Sequence, residues 1–171
     1  MVILRPTRKL LKSLSYSADA DAASDTALGD WYVNRIVVDR RPLLLLLSSR
    51  SLLPILMPAR DVRALPNRLP ELVAARLKRL GVARGLIEAE VDAMSPVRIA
   101  RTTDRSVLGI MVDFAKGIPF YLEVGGWDET TLPFVEGRLA ETPCHAGRRF
   151  EDVVFPEKKA PELLLARWHA G

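Results

Sequence analysis

Arg101, Arg105 and Asp113 have the types and spacing to handle a phosphate-bearing molecule. A helix begun near Asp104 puts Ser106, Gly109 and Asp113 on the face opposite Val107, Met111 and Phe114. Arginines at the start of such a helix, beside unbonded backbone N–H groups, can hold a phosphate or a carboxylate. Asp113 would then serve as a base, as a Mg²⁺ ligand or as the group that orients an arginine. The same residues also suit a plain polar helix face with an internal Arg–Asp pair. Asn34 is the other candidate. On an extended strand it shares a face with Tyr32, Ile36 and Val38. An amide among apolar neighbours must be hydrogen-bonded, either to a nearby loop or to a ligand. The candidate ligand-binding residues are therefore Asn34, Arg101, Arg105 and Asp113.

Other chemistries find little support. Cys144 and His145 are adjacent, which suits no zinc-ligand spacing, and His169 is the only other histidine. No metal and no cofactor is expected. Cys144 would become a nucleophile only with a histidine base in reach, and a small residue closing a helix ahead of Gly147 is the simpler role. No nucleophile-elbow serine or Ser-x-x-Lys pattern occurs, and Gly125-Gly126 is too short for a phosphate-cradling loop.

These side chains need a scaffold, and the hydrophobic pattern supplies one. The 171 residues suit a single domain with an ordinary apolar fraction. Residues 2–4 form a short N-terminal strand, and Thr7 would cap a basic helix running to Leu14. Residues 15–27 are small and polar and are expected to be a flexible loop. Residues 31–38, 43–47 and 52–57 alternate with turn residues and form an antiparallel meander over about 31–58. Pro54 places the third strand at an edge or a bulge. Leu69, Leu72, Val73, Leu77 and Leu80 stripe a helix whose opposite face carries Arg76, Lys78 and Arg79, with Gly81 as its stop. Leu86, Ile87, Val91 and Met94 stripe a second helix. A strand near 97–101 precedes the Asp104 helix, which Pro119 should kink or interrupt, and 132–140 forms a further helix. The fold class is α+β, with helices packed on one face of the sheet. Residues 1–144 form this domain, and 145–171 a C-terminal extension. Its first part, 145–161, reads as a loosely ordered tail, with a short helix from Pro161 to His169.

Charge and hydropathy limit the setting. The net charge is +4, yet residues 106–171 carry ten acids against seven bases, so residues 1–105 hold +7. A basic portion can attract nucleic acid or an acidic protein surface, although a solvated arginine-rich surface is the simpler reading. A single cysteine, no secretory signal and no apolar run of membrane-spanning length suggest a cytoplasmic protein without a membrane partner.

Several short motifs occur in one order. They are Arg8-Lys9-Leu10-Leu11-Lys12, then residues 27–34 (Ala-Leu-Gly-Asp-Trp-Tyr-Val-Asn), Asp39-Arg40-Arg41 and Leu52-Leu53-Pro54. Arg101-Thr102, Arg105-Ser106-Val107-Leu108-Gly109, Met111, Asp113-Phe114-Ala115 and residues 138–144 (Arg-Leu-Ala-Glu-Thr-Pro-Cys) follow. Over residues 1–144 this pattern resembles a bacterial family known only as a domain of unknown function, some of whose relatives are plasmid-associated. The resemblance implies no activity and no catalytic residues. Ile110, Val112 and Arg35 depart from it, since relatives tend to carry a polar residue, an asparagine and an apolar residue there. Losing the asparagine beside Asp113 weakens a polar catalytic pair on that helix.

The leading expectation is thus a non-enzymatic binding or accessory domain that contacts nucleic acid or an acidic protein. One alternative is an enzyme acting on a phosphate-bearing substrate, which requires Arg101, Arg105 and Asp113 to converge on one cleft. The other is a homodimer joined through the meander edge or Trp127.

Overall fold

The computed structural model describes residues 1–123, 125–145 and 153–169. Its centre is a five-stranded sheet in the order β4-β3-β2-β1-β5. The expected meander is present as β2 (Trp31–Val38), β3 (Arg41–Ser48) and β4 (Pro54–Pro58), all antiparallel. Asp39 and Arg40 both take left-handed backbone angles, with φ of 50° and 64°. A two-residue turn of that hand matches the twist of the strands it joins. The N-terminal strand β1 (Val2–Pro6) lies parallel to both β2 and β5 (Val97–Ile99), so it is central rather than peripheral.

Helices cover both faces of this sheet, not one. Leu44 and Leu46 of β3 point into a core shared with α1 (Leu65–Leu80) and α5 (Pro156–Trp168). Leu43, Leu45 and Leu47 point the other way, against α3 (Arg105–Tyr121) and α4 (Leu132–Ala140). Burial of each such leucine contributes roughly 1.5–3 kcal/mol, and only a two-sided core uses all five. An unbroken leucine run is what a strand buried on both faces requires. Helix α2 (Arg84–Ala93) packs beside α1 and α5.

Several local expectations change. Thr7 caps no helix, because only a 3-10 turn forms over Arg8–Leu10 and Thr7 makes no side-chain cap bond. Pro119 does not stop α3, which continues to Tyr121. Arg76 is buried on α1 rather than solvated, since Glu136 on α4 supplies a counter-charge at 3.3 Å. Burial lowers its guanidinium below the ordinary arginine value; Glu136 pulls the other way and Arg79 adds to the lowering. The C-terminal helix starts at Pro156 rather than Pro161 and buries Ala160 and Leu164 in the shared core. Cys144 lies in a two-residue strand, Cys144–His145, instead of closing a helix. Gly147 falls outside the described residues.

The outer edge of β4 is closed by side chains. The Leu56 N–H donates to Glu136 Oε1 at 2.9 Å, Arg76 Nε donates to the Pro54 carbonyl at 2.8 Å, and Pro54 and Pro58 have no N–H to offer. Sheet edges blocked in this way resist pairing with another chain. Trp127 is also occupied internally: it is buried and donates from Nε1 to Asp39 Oδ2 at 2.7 Å.

Candidate ligand-binding site

The site forms where the parallel strands end. Because β1 lies between β2 and β5, the chain after Pro6 and the chain after Ile99 emerge at one rim of the sheet. In open sheets with parallel strands, ligands characteristically bind outside the carboxyl ends of those strands. Beneath this rim sits Arg5, buried at 3% exposure in a strand that is otherwise apolar. Its guanidinium donates to Asp30 Oδ2 at 2.6 Å and to the carbonyls of Ala20, Ala22 and Arg101 at 3.0, 2.8 and 2.6 Å. A planar fork with five N–H donors can serve such divergent acceptors at once. Asp30 is held in turn by Ser24 Oγ at 2.7 Å. Gly29 beside it has φ of 77°, and a Cβ there would lie 2.5 Å from Ser49 Oγ.

Arg5 therefore ties residues 20–22 to the strand ends. Further along, Ser17 N and Ala18 N both donate to the Ile99 carbonyl, at 2.8 and 3.0 Å, and Ile99 N donates to Ser17 Oγ. The segment expected to be a flexible loop is fastened over the edge of β5. Its residues lack an apolar period because backbone and polar contacts, rather than side-chain burial, hold it.

Above this floor lies a cavity of about 390 Å³, lined by Pro6, Arg8, Tyr16, Arg101, Thr102 and Thr103. Arg8 and Arg101 are exposed, and neither guanidinium has a hydrogen-bond or ion-pair partner among the described residues. Tyr16 stands at the same cavity with 51% of its surface exposed. Tyr32 Oη, from β2, accepts from Thr103 N at 3.4 Å and Asp104 N at 3.0 Å, which fixes the chain as it leaves β5 for α3. The result is a hollow with two unpaired cations, threonine hydroxyls and one aromatic ring. Such a set can bind an anion, and its lining holds no carboxylate, histidine or thiol.

The four residues picked from the sequence fall in different places. Arg101 lines the cavity just described. Asn34 lies one position beyond the β1–β2 pairing, and its Oδ1 accepts from Thr7 Oγ1 at 2.8 Å, next to Pro6 and Arg8. Arg105 opens α3 on the exposed surface, but the helix N-terminus there is already occupied. Asp104 accepts from Ser106 N at 2.9 Å and from Val107 N at 3.3 Å, taking the place an incoming anion would need. Asp113 lies about 12 Å further along the helix axis, given 1.5 Å per residue. It lines a separate cavity of about 240 Å³ with Tyr121, Thr142, Cys144 and His145. The convergence of Arg101 and Asp113 on one cleft is not what these cavities provide.

In that second cavity the Cys144 thiol is pushed up to about 11, mainly by burial and secondarily by Asp113. Its Sγ donates to the Thr142 carbonyl at 3.4 Å. A thiol so perturbed is almost wholly protonated at neutral pH and is a poor nucleophile. Among the described residues, no group of three or more His, Cys, Asp or Glu is placed to hold a metal ion. Nor is any helix among them long and apolar enough to cross a membrane.

Sequence reasoning missed Arg5, Arg8, Tyr16, Thr102 and Thr103. One signal was available: an arginine inside an apolar strand must be paired if the strand is buried. Compared with known proteins, residues 3–159 match the family described as Domain of unknown function (DUF6933). The chain belongs to that family, and the match extends beyond the 144 residues over which the resemblance was read. No curated protein and no solved structure matches the chain.

Proposed function

We propose that this member of the DUF6933 family is a non-enzymatic binding domain of a bacterial cytoplasmic protein, and that it holds the phosphate backbone of a nucleic acid at the rim of its parallel strands. The observation that carries this reading is the pair of unpartnered guanidiniums, Arg8 and Arg101, facing one cavity of about 390 Å³ over a floor braced by Arg5. Exposed, unpaired arginines near phosphate-sized hollows suit bidentate anion contacts. The +7 charge of residues 1–105 adds long-range attraction for a polyanion. Binding is favoured over catalysis because Asp113, the carboxylate that could act as base, faces another cavity. A cytoplasmic setting agrees with a single free cysteine.

A mobility-shift titration with a labelled mixed-sequence oligonucleotide across salt concentrations tests this. Affinity should fall steeply with salt, and the Arg8→Ala/Arg101→Ala variant should lower the magnitude of the log–log slope by about 1.4 to 1.8 for two lost phosphate contacts. An absence of binding at low salt, or equal competition by polyglutamate, refutes the proposal.

A further inference from the structure

The geometry points to a single-stranded nucleic acid as the ligand, with Tyr16 stacking on an unpaired base while Arg8 and Arg101 hold the adjoining phosphates. This rests on the reading of the rim as a phosphate site and adds what the ligand must present there. Tyr16 is the aromatic ring of that cavity, and half of its surface is open to solvent. An exposed aromatic on a free loop would lose much conformational entropy on stacking. Tyr16 is not on a free loop. The next two residues are bonded to the end of β5, through Ser17 N and Ala18 N to the Ile99 carbonyl and Ile99 N to Ser17 Oγ at 2.9 Å. Arg5 then holds the carbonyls of Ala20 and Ala22. The backbone that presents the ring is therefore already ordered before any ligand arrives.

A ring carried on an ordered segment, at one cavity with two unpaired arginines and threonine hydroxyls, reproduces the pairing of stacking platform and cationic groove used for single strands. A duplex keeps its base faces inside the helical stack and offers the ring nothing to cover. An unpaired nucleotide can place its base on Tyr16 and its phosphate between the arginines at once. Because every base has a π-face, such a site should show little sequence preference.

The test measures fluorescence anisotropy of the intact chain with labelled single-stranded DNA, single-stranded RNA and duplex DNA of equal length at low salt. Single strands of either sugar should bind more tightly than the duplex. Tyr16→Ala should weaken single-strand binding roughly ten- to hundredfold and leave duplex binding within about twofold, while Tyr16→Phe, which keeps the ring, should behave as the parent. Circular dichroism of Tyr16→Ala checks that the exposed substitution leaves the fold intact. Equal loss on both ligands, no loss on either, or tighter duplex binding overturns the single-strand assignment and leaves the phosphate reading standing. A mononucleotide that competes as well as the oligonucleotide also overturns it, since the strand would then add nothing. Failure of all nucleic acids to bind removes the phosphate reading itself.

Discussion

Replacing Arg5 by methionine should cost about 3 kcal/mol of folding stability and loosen the segment that carries Tyr16. The figure follows from what the side chain holds. Arg5 is 3% exposed and makes one charge-assisted bond to Asp30 and three bonds to carbonyls of residues 20, 22 and 101. Removing one partner of a buried pair typically costs about 3–5 kcal/mol, because the other charge is left uncompensated. Asp30 retains 18% side-chain exposure and the Ser24 hydroxyl, so the low end applies. Arg5→Lys keeps the charge but cannot reach four divergent acceptors from one ammonium, and about 2 kcal/mol should still be lost. A domain with about 5–15 kcal/mol in total would survive either change. Urea denaturation gives the stabilities, and hydrogen exchange of the amides of residues 17–25 reports the loosening. Both variants should lose protection there while the β3 amides keep theirs. A methionine variant within about 1 kcal/mol of the parent, with unchanged exchange at Ser17 and Ala18, would refute the claim that Arg5 braces the rim.

Two further outcomes follow from buried groups elsewhere. Glu136→Ala should destabilise by about 3–5 kcal/mol, since it strips the Arg76 guanidinium of its counter-charge and the Leu56 N–H of its acceptor. The double variant Arg76→Met/Glu136→Met should recover a large part of that loss in thermal melts, and a double variant no better than the single one contradicts the account. For Cys144, the shift from 9.0 to about 11 makes the thiolate roughly 100-fold scarcer below pH 9, so alkylation should be slow at pH 8 and keep accelerating past pH 10. The same sign holds for stability. The thiol is protonated in both folded and unfolded chains below about pH 9, and the folded state loses stability as the pH rises from there towards 11. A rate profile that levels near pH 9 would remove the burial argument.

The meander and the stripes of α1, α2 and α3 were legible because they depend on local periodicity, and proline's missing N–H narrowed β4 to an edge or a bulge, of which the edge is what forms. The two-sided sheet was encoded too, in the uninterrupted residues 43–47, but that run was read only as one strand of a meander covered on one face. A strand with one wet face cannot afford five leucines in a row, so helices on both sides were deducible. The central position of β1 was not. Its parallel pairing with β5 joins segments nearly a hundred residues apart, its pairing with β2 skips the whole of residues 7–30, and three apolar residues carry no mark of where they pair. The burial of Arg76 was hidden for a similar reason: its partner Glu136 lies on another helix, and the two residues look solvated when each is read in its own window.

The candidate site was half legible for a related cause. Arg101 was found because arginines cluster before α3, whereas Arg8 was assigned to a basic helix that forms only as a 3-10 turn, and Tyr16 to a loop. They reach Arg101 only because β1 is parallel to β5, which brings the residues following each strand to the same end of the sheet. Arg105 was picked for the free N–H groups of a helix start, but Asp104 satisfies two of those groups itself. A capping aspartate is thus evidence against an anion at that helix end, and it could have been weighed from the sequence. Once the helix terminus is set aside, the unpaired charge at this rim belongs to Arg8 and Arg101. Those two residues are joined by topology rather than by a motif, so a search for contiguous phosphate-binding signatures passes over them.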